Sequence, residues 1–337
     1  MLLLGDCLEQ MKTLEDGSID AIVTDPPYGL GFMGKDWDHA VPGAPYWEEA
    51  LRVAKPGAHL LCFGGTRTFH RMACAIEDAG WEIRDTIMWV YGSGFPKSMD
   101  VSKAIDKSLD AKRKETGVRG RSGSKRNCMA GDFTGGEYMN TEPATEQASE
   151  WQGWGTCLKP AWEPVIVARK PLDGTVAHNV MEYGTGAINI DACRVGIEQR
   201  TYKGMSTKQP NQAGVFRDDN WVPKDIEVTV TGRFPANLIH DGSDEVTEPM
   251  GSAARFFYCA KASKRERGED NNHPTVKPQA LMEYLVTMVT REGAVVLDPF
   301  MGSGSTGVAC STLGREFVGI ELDPAYYDIA KRRIEAA

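Results

Sequence analysis

The sequence predicts an α/β fold, a mostly parallel sheet with helices on both faces. Three observations predict it. Apolar, strand-like runs alternate with helical spacings through residues 1–91, the pattern of a covered parallel sheet. The same texture returns over residues 253–337. Within that second stretch a buried-strand run at 294–297 leads into Asp298-Pro299-Phe300-Met301-Gly302-Ser303-Gly304-Ser305-Thr306-Gly307, a glycine loop placed between a strand and a helix.

Taken in order, residues 1–4 form a short apolar strand ending at Gly5-Asp6-Cys7, and 8–14 a short helix. Residues 19–24 are a buried parallel strand. Residues 46–53 read as a helix closed by Lys55-Pro56-Gly57, and 59–63 as a strand ended by Gly64-Gly65. Phe69, Met72, Ala73, Ile76 and Ala79 share helical spacing, and Gly80 is the natural residue just past that helix. Residues 83–90 return to strand. In the last third, 256–260 read as a strand, 279–289 and 308–313 as helices, 317–320 as a strand and 326–335 as the closing helix.

Between these halves the texture changes, and residues 92–252 read as an insertion. Lys97, Lys103, Lys107, Lys112, Arg113, Lys114, Arg119, Arg121, Lys125 and Arg126 make 97–126 the most basic stretch. That run is either a phosphate contact or a solvated helix face. Residues 117–149 are rich in Gly, Ser, Thr and Glu and read as a mobile loop. Trp151, Trp154 and Trp162 cluster before a strand at 164–168, and are expected in the core. Residues 203–225 read as polar and irregular, and 233–239 as ordered.

Composition bounds the function classes. The 337 residues are 41% hydrophobic and 25% charged, an ordinary globular balance. No run approaches a membrane span, and the acidic start at Asp6 does not read as a signal peptide. Eight cysteines are scattered without a C-x-x-C pair, so neither a metal site nor a disulfide framework is expected, and a cytoplasmic location is. The net charge of −9 excludes a uniformly basic coat but not a local basic groove.

Two motifs carry chemistry. Thr24-Asp25-Pro26-Pro27-Tyr28-Gly29 follows the strand at 19–24. Proline donates no N–H and fixes its own φ, so the corner is rigid and rich in acceptors. Asp25 offers carboxylate oxygens, the backbone offers carbonyls, and Tyr28 offers a flat ring. That set suits an amino group on a planar heterocycle. The second motif, Gly302-x-Gly304-x-x-Gly307 with Glu321 about 20 residues on, matches a nucleoside-cofactor fingerprint whose acidic residue takes ribose hydroxyls. Asp298 beside the loop is a poor neighbour for a diphosphate and a good one for an ammonium. That favours S-adenosylmethionine, which has an amino group and a sulfonium but no phosphate.

On these residues the chain resembles the DNA amino-methyltransferases, which make N6-methyladenine or N4-methylcytosine. Its motif order resembles the permuted beta arrangement of phage and bacterial enzymes: catalytic motif first, target-recognition insertion second, cofactor motif last. The resemblance implies a circularly permuted, Rossmann-like S-adenosylmethionine-dependent methyltransferase fold. It divides the chain into a catalytic half at 1–91, a target-recognition insertion at 92–252 and a cofactor half at 253–337. It also implies that Met1–Asp6 lies near Phe317–Glu321.

By resemblance, Asp25 and the Pro26 carbonyl hold the target amino hydrogens, Pro27 stiffens the corner and Tyr28 stacks on the flipped base. Asp298, Pro299, Phe300, Gly302, Ser303 and Gly304 shape the cofactor pocket, with Asp25 at its edge, and Glu321 holds the ribose. Asp6 and Cys7 lie near the cofactor's adenine. Thr275 and Lys277, in His273-Pro274-Thr275-Val276-Lys277-Pro278, approach its methionine moiety. Asp at position 25 favours adenine, with N4-cytosine as the alternative. A nicotinamide-dependent oxidoreductase, resting on the glycine fingerprint alone, is the more distant rival. The expected partner is double-stranded DNA, held by basic residues around 97–126 and 261–267. No membrane partner is expected, a homodimer is allowed, and a restriction partner is not specified.

Overall fold

Apolar runs bounded by proline or glycine become strands, and most of them join one sheet. The structure, a computed structural model, describes residues 1–31, 38–92, 94, 98–121, 127–128, 131–132, 137–205, 225–260 and 276–337. The main sheet contains β1 (Leu2–Leu4), β2 (Ile19–Thr24), β3 (Ala54–Phe63), β4 (Glu82–Val90), β5 (Trp162–Arg169), β6 (Leu238–His240), β7 (Tyr258–Cys259), β8 (Val295–Asp298) and β9 (Glu316–Glu321). Their spatial order is β1-β9-β8-β2-β3-β5-β4-β6-β7. Every pairing is parallel except those of β5, which runs antiparallel to both β3 and β4.

The two ends of the chain meet on this sheet, as the permuted order requires. Leu2 pairs with Gly319, Leu3 with Ile320 and Leu4 with Glu321. The Met1 amino group donates to the Phe317 carbonyl at 2.6 Å.

Ten helices are described: α1 (Cys7–Met11), α2 (Ala44–Val53), α3 (Phe69–Asp78), α4 (Val101–Ser108), α5 (Glu146–Glu150), α6 (Val176–Tyr183), α7 (Asp244–Met250), α8 (Gln279–Val289), α9 (Ser305–Thr312) and α10 (Pro324–Glu335). Side chains alternate across a strand, so each central strand feeds two cores. On one face Ala21, Val23, Leu61 and Phe63 pack with Leu281, Leu285, Ala309 and Ala330 of α8, α9 and α10. On the other, Ile22, Leu60, Leu297 and Val318 pack with Met11, Trp47, Val53, Met72 and Ile76 of α1, α2 and α3.

Several local expectations change. Pro56-Gly57 does not separate a helix from a later strand: β3 begins at Ala54, and its register with β2 shifts between Ile19 and Ala21. Gly57, at φ +75°, absorbs that irregularity, since glycine takes left-handed backbone without a Cβ penalty. The strand expected at 256–260 is instead a 3₁₀ turn, Gly251–Phe256, followed by the two residues of β7.

The stretch expected to be irregular from 203 partly pairs, as Val195–Met205 forms an antiparallel hairpin with Asp225–Arg233. Within the supposed loop at 117–149, Lys114–Arg121 pairs with Glu137–Glu142. Trp151 and Trp154 are not core residues. They are 43% and 60% exposed and pack edge to face on each other, ring centroids 5.1 Å apart. The sheet takes strands from all three sequence segments, because β5 and β6 come from 92–252.

Candidate active site

The parallel strands all point their carboxyl ends to one edge, and the crevice outside those ends is where ligands bind in open α/β sheets. Asp25 follows β2, Asp298 closes β8, Glu321 closes β9, Asp6 follows β1 and Tyr91 follows β4. Strand β5 runs the other way, so its first residues, Trp162 and Glu163, reach the same edge.

β2 and β8 are neighbours, with Val296 beside Ala21 and Leu297 beside Ile22. Their ends are pinned together by Thr24, whose hydroxyl donates to Asp298 Oδ1 at 2.7 Å. The Asp-Pro-Pro-Tyr corner and the glycine loop therefore lie side by side, although 274 residues separate Thr24 from Asp298.

The corner itself is locked from behind. Asp38, 2% exposed, accepts from the amides of Gly29 at 2.7 Å and Leu30 at 3.2 Å. Gly29 sits at φ +65°, and a Cβ there would lie 2.9 Å from the Val41 nitrogen, so only glycine fits. Pro26 is buried, while Asp25, Pro27 and Tyr28 are half-buried.

In front, four polar side chains form one cluster. The Lys277 ammonium donates to Asp25 Oδ2 at 2.7 Å and to the Tyr28 hydroxyl at 3.1 Å. It lies 3.2 Å from Glu163 Oε2. Its three N–H groups are thus matched to three oxygens. It also sits 4.7 Å from the Phe63 ring centroid, within cation–π range. The Tyr28 hydroxyl lies 2.7 Å from Asp25 Oδ1 and 3.1 Å from Glu163 Oε2.

Only 3% of the Lys277 side chain is exposed. Burial disfavours its charge, but Asp25 and Glu163 outweigh burial and hold its proton more tightly than an ordinary lysine does. Burial, then the Asp25 and Glu163 charges, push the Tyr28 hydroxyl well up, so it stays neutral and serves as a donor. Lys277, expected at the methionine end of the cofactor, is thus tied to the Asp25–Tyr28 corner. Thr275 lies outside the described residues, as do Lys97, Lys125, Arg126 and the basic loop at 261–267.

The glycine loop holds the other expected residues together. Gly302 and Gly304 take φ +53° and +82°, left-handed conformations that favour glycine. Asp298, 2% exposed, has both oxygens engaged. Oδ1 accepts from Thr24 and, at 3.1 Å, from the Phe300 amide; Oδ2 accepts from the Thr306 hydroxyl at 2.7 Å. Burial dominates its titration, and its carboxyl is raised to about 6 despite these donors.

Glu321 accepts from the amides of Gly302 and Asp323, each at 2.8 Å. One oxygen serves each, so lone pairs remain for hydroxyl donors. Ser303 accepts from Arg333 through its carbonyl and its hydroxyl, and Pro299 is buried beneath the loop.

Phe300 forms an aromatic wall with Tyr46 and Trp47, at centroid distances of 6.2 and 6.3 Å. Asp6 caps α1 by accepting from the Leu8 and Glu9 amides. Cys7 is buried, and burial together with Asp6 pushes its thiol up to about 12. It is a packing residue rather than a nucleophile.

Sequence reading missed Glu163 and Asp38. Asp38 carried no local signal. Glu163 precedes Pro164 at a strand start, where a carboxylate is out of keeping with the apolar run that follows it, Val165-Ile166-Val167-Ala168.

Comparison with known proteins identifies the family and the fold. The family model N6_N4_Mtase, described as DNA methylase, matches residues 19–332. Over 98% of its length the chain is 23% identical to type II methyltransferase M.HindIII of Haemophilus influenzae, covering 93% of that protein. Over 99% of its length it is 23% identical to type II methyltransferase M.HpaI of Haemophilus parainfluenzae, covering 74% of it. Among solved structures, the PvuII DNA methyltransferase (cytosine-N4-specific) shares the fold, with a TM-score of 0.51 and 12% identity over 98% of this chain and 85% of that one.

Proposed function

Because the chain belongs to the N6/N4 DNA methylase family, we propose that it methylates the exocyclic N6 of an adenine flipped out of duplex DNA. The co-substrate of this family, S-adenosylmethionine, supplies an electrophilic methyl on a sulfonium. The nicotinamide alternative is set aside by the family match.

One observation carries the reading: the Asp25–Tyr28 corner and the Gly302–Gly307 loop end adjacent parallel strands joined by the Thr24–Asp298 hydrogen bond. A base held at the first therefore faces a nucleoside donor held at the second. The residues fit such a donor. Glu321 keeps lone pairs for ribose hydroxyls, Phe300 and Tyr46 offer flat faces for an adenine beside Asp6 and Cys7, and the edge is acidic toward a cation. Asp298, Pro299, Gly302, Ser303 and Gly304 shape the pocket through backbone placement. Lys277, held at the Asp25–Tyr28 corner, stands where the two pockets meet, Asp25 borders both, and Thr275, outside the described residues, keeps the methionine-end role that the family resemblance gives it.

On the target side, an amino nitrogen conjugated to the ring is a weak nucleophile. Accepting its hydrogens at Asp25 and the Pro26 carbonyl favours a pyramidal nitrogen whose lone pair faces the methyl. Pro27 fixes the corner and Tyr28 stacks on the base. Positioning then supplies much of the rate, and no cysteine nucleophile is needed. Asp at position 25 is the feature that favours adenine over cytosine.

The 92–252 segment, whose α4 carries Lys103 and Lys107, is assigned to duplex contact, with its Lys and Arg side chains on phosphates. A homodimer and a restriction partner are compatible with this reading and are not needed by it. Among the described residues no helix is long and apolar enough to cross a membrane, and we assign the enzyme to the cytoplasm.

The test is transfer of labelled methyl to unmethylated genomic DNA, followed by nucleoside mass spectrometry. N6-methyladenine supports the proposal. N4-methylcytosine overturns the base assignment. No label in DNA, with the donor bound, overturns DNA as the substrate.

A further inference from the structure

Methylating an amine leaves a proton to dispose of, and the cluster around Lys277 is built to take one. We propose that Glu163 is the proton-accepting and positioning residue of this reaction, acting on Asp25 through the Tyr28 hydroxyl. The inference rests on the methyl-transfer reading above.

The geometry is a continuous line of oxygens, Asp25 Oδ1, Tyr28 Oη and Glu163 Oε2, with steps of 2.7 and 3.1 Å. Tyr28 has a single proton and two acidic neighbours, so that proton can point to only one of them at a time. Lys277 donates to Asp25 and Tyr28, forms an ion pair with Glu163, and serves as the pivot that keeps all three in register.

Glu163 is held from every side that packs on it: Lys277 comes from the segment before α8, and Tyr28 and Asp25 from the corner after β2. The Tyr91 hydroxyl, at the end of β4, is held neutral by burial and then by the charge of Glu163. Only 13% of the Glu163 side chain is exposed, which is unusual for a carboxylate without such partners.

The charge count points the same way. Ionised Asp25 and Glu163 with one ammonium leave the cluster one negative charge in excess. That excess lies beside a reaction in which positive charge moves from sulfur to nitrogen, so it stabilises the transition state without rearrangement.

The step balances. The amino nitrogen forms a bond to the methyl carbon, the carbon–sulfur bond breaks, and its electron pair stays on sulfur as a neutral thioether. The nitrogen, now cationic, loses one proton to Asp25. Asp25 passes a proton to Tyr28 Oη, whose own proton moves to Glu163 Oε2. Asp25 is again a carboxylate, Tyr28 is again neutral, and the cluster carries no net charge until Glu163 releases the proton.

The experiment is single-turnover methyl transfer from labelled S-adenosylmethionine to a duplex that the wild type methylates, using Glu163→Gln, Glu163→Asp, Tyr28→Phe and the double variant Glu163→Gln/Tyr28→Phe. Gln keeps the shape and the hydrogen bonds but cannot hold the proton. The expected result is a roughly hundredfold loss of rate for Glu163→Gln, with donor affinity and melting temperature within about twofold and a few degrees of wild type. Glu163→Asp should recover part of the rate, and the double variant should be no slower than the slower single one.

A wild-type rate in Glu163→Gln would overturn the proposal, as would losses that multiply in the double variant. A wild type that binds donor yet labels no DNA would instead defeat the methyl-transfer reading beneath it, so the two failures are told apart by the wild-type control.

Discussion

The Lys277 ammonium lies 2.7 Å from Asp25 Oδ2, although 252 residues separate them in the chain. The segment before α8 and the corner after β2 are thereby joined directly, not only along the sheet. Under the proposed reaction, fold stability and activity share these atoms.

Asp25 is the first place to separate the two. Asp25→Ala removes the acceptor for the target amine, so transfer should be undetectable while donor binding persists. It also leaves the buried Lys277 with Glu163 as its remaining carboxylate, which should lower stability by about 1–3 kcal/mol. Asp25→Asn keeps the volume and should lose activity with a smaller stability change. Calorimetric donor titration and melting curves on both variants check this, and retained methylation in either would sink the assignment.

Lys277→Met keeps volume but leaves two carboxylates facing each other with only neutral hydroxyls between them. Removing one partner of a buried charge cluster should cost roughly 3–5 kcal/mol. Like charges left unpaired bind protons more readily. The acid limb of the activity profile should therefore move to higher pH. A profile that superposes on wild type would show that Lys277 does not set the charge of the corner.

How much of this site was legible follows from what kind of signal each residue carries. Asp25 and Asp298 announce themselves locally, as acids that end apolar strands beside proline, and Glu321 does so by ending an apolar strand about 20 residues after the glycine loop. Glu163 does not, because its role depends on β5 inserting antiparallel between β3 and β4, a pairing no local pattern specifies. Asp38 acts through a turn nine residues back.

The hairpin at Asp225–Arg233 was legible but overlooked, since Ile226, Val228 and Val230 alternate with Glu227, Thr229 and Thr231, the period of a half-buried strand. Trp151 and Trp154 show the converse, because hydrophobicity alone does not place a side chain inside when its neighbours form a small surface module.

Two glycines of the loop should fail in different ways. Gly304→Ala imposes a left-handed conformation on a residue with a Cβ, costing roughly 1–2 kcal/mol, and sets that Cβ 3.0 Å from the Ala330 Cβ. It reshapes the loop, so donor affinity should fall. Gly307→Ala keeps an ordinary helical conformation, but its Cβ would lie 2.4 Å from Ile334 Cδ1 and 2.7 Å from Phe317 Cε1. The ring of Phe317 is buried and cannot step aside, so overpacking should cost about 1–3 kcal/mol and appear chiefly in the melting temperature. Equal ratios of affinity loss to stability loss in the two variants would contradict this division.

Asp298 should make the donor-free protein less stable as pH rises through the acid range. Its carboxyl is raised from 3.8 to about 6 by burial, so between those values the folded state binds more protons than the unfolded chain. Stability then falls with rising pH across that window and levels off above about 6, the opposite of the usual salt-bridged carboxylate. A window about two pH units wide corresponds to about 3 kcal/mol.

Asp298→Asn cannot titrate and keeps an acceptor for Thr24 or Thr306. The stability of the wild type relative to the Asn variant should therefore decline by that amount between about pH 4 and pH 7. Denaturant unfolding of both proteins at the two pH values reads the difference directly, and other titrating groups cancel in the comparison. A constant difference would mean that Asp298 ionises at its ordinary value, with the Thr24, Thr306 and Phe300 donors offsetting its burial in full.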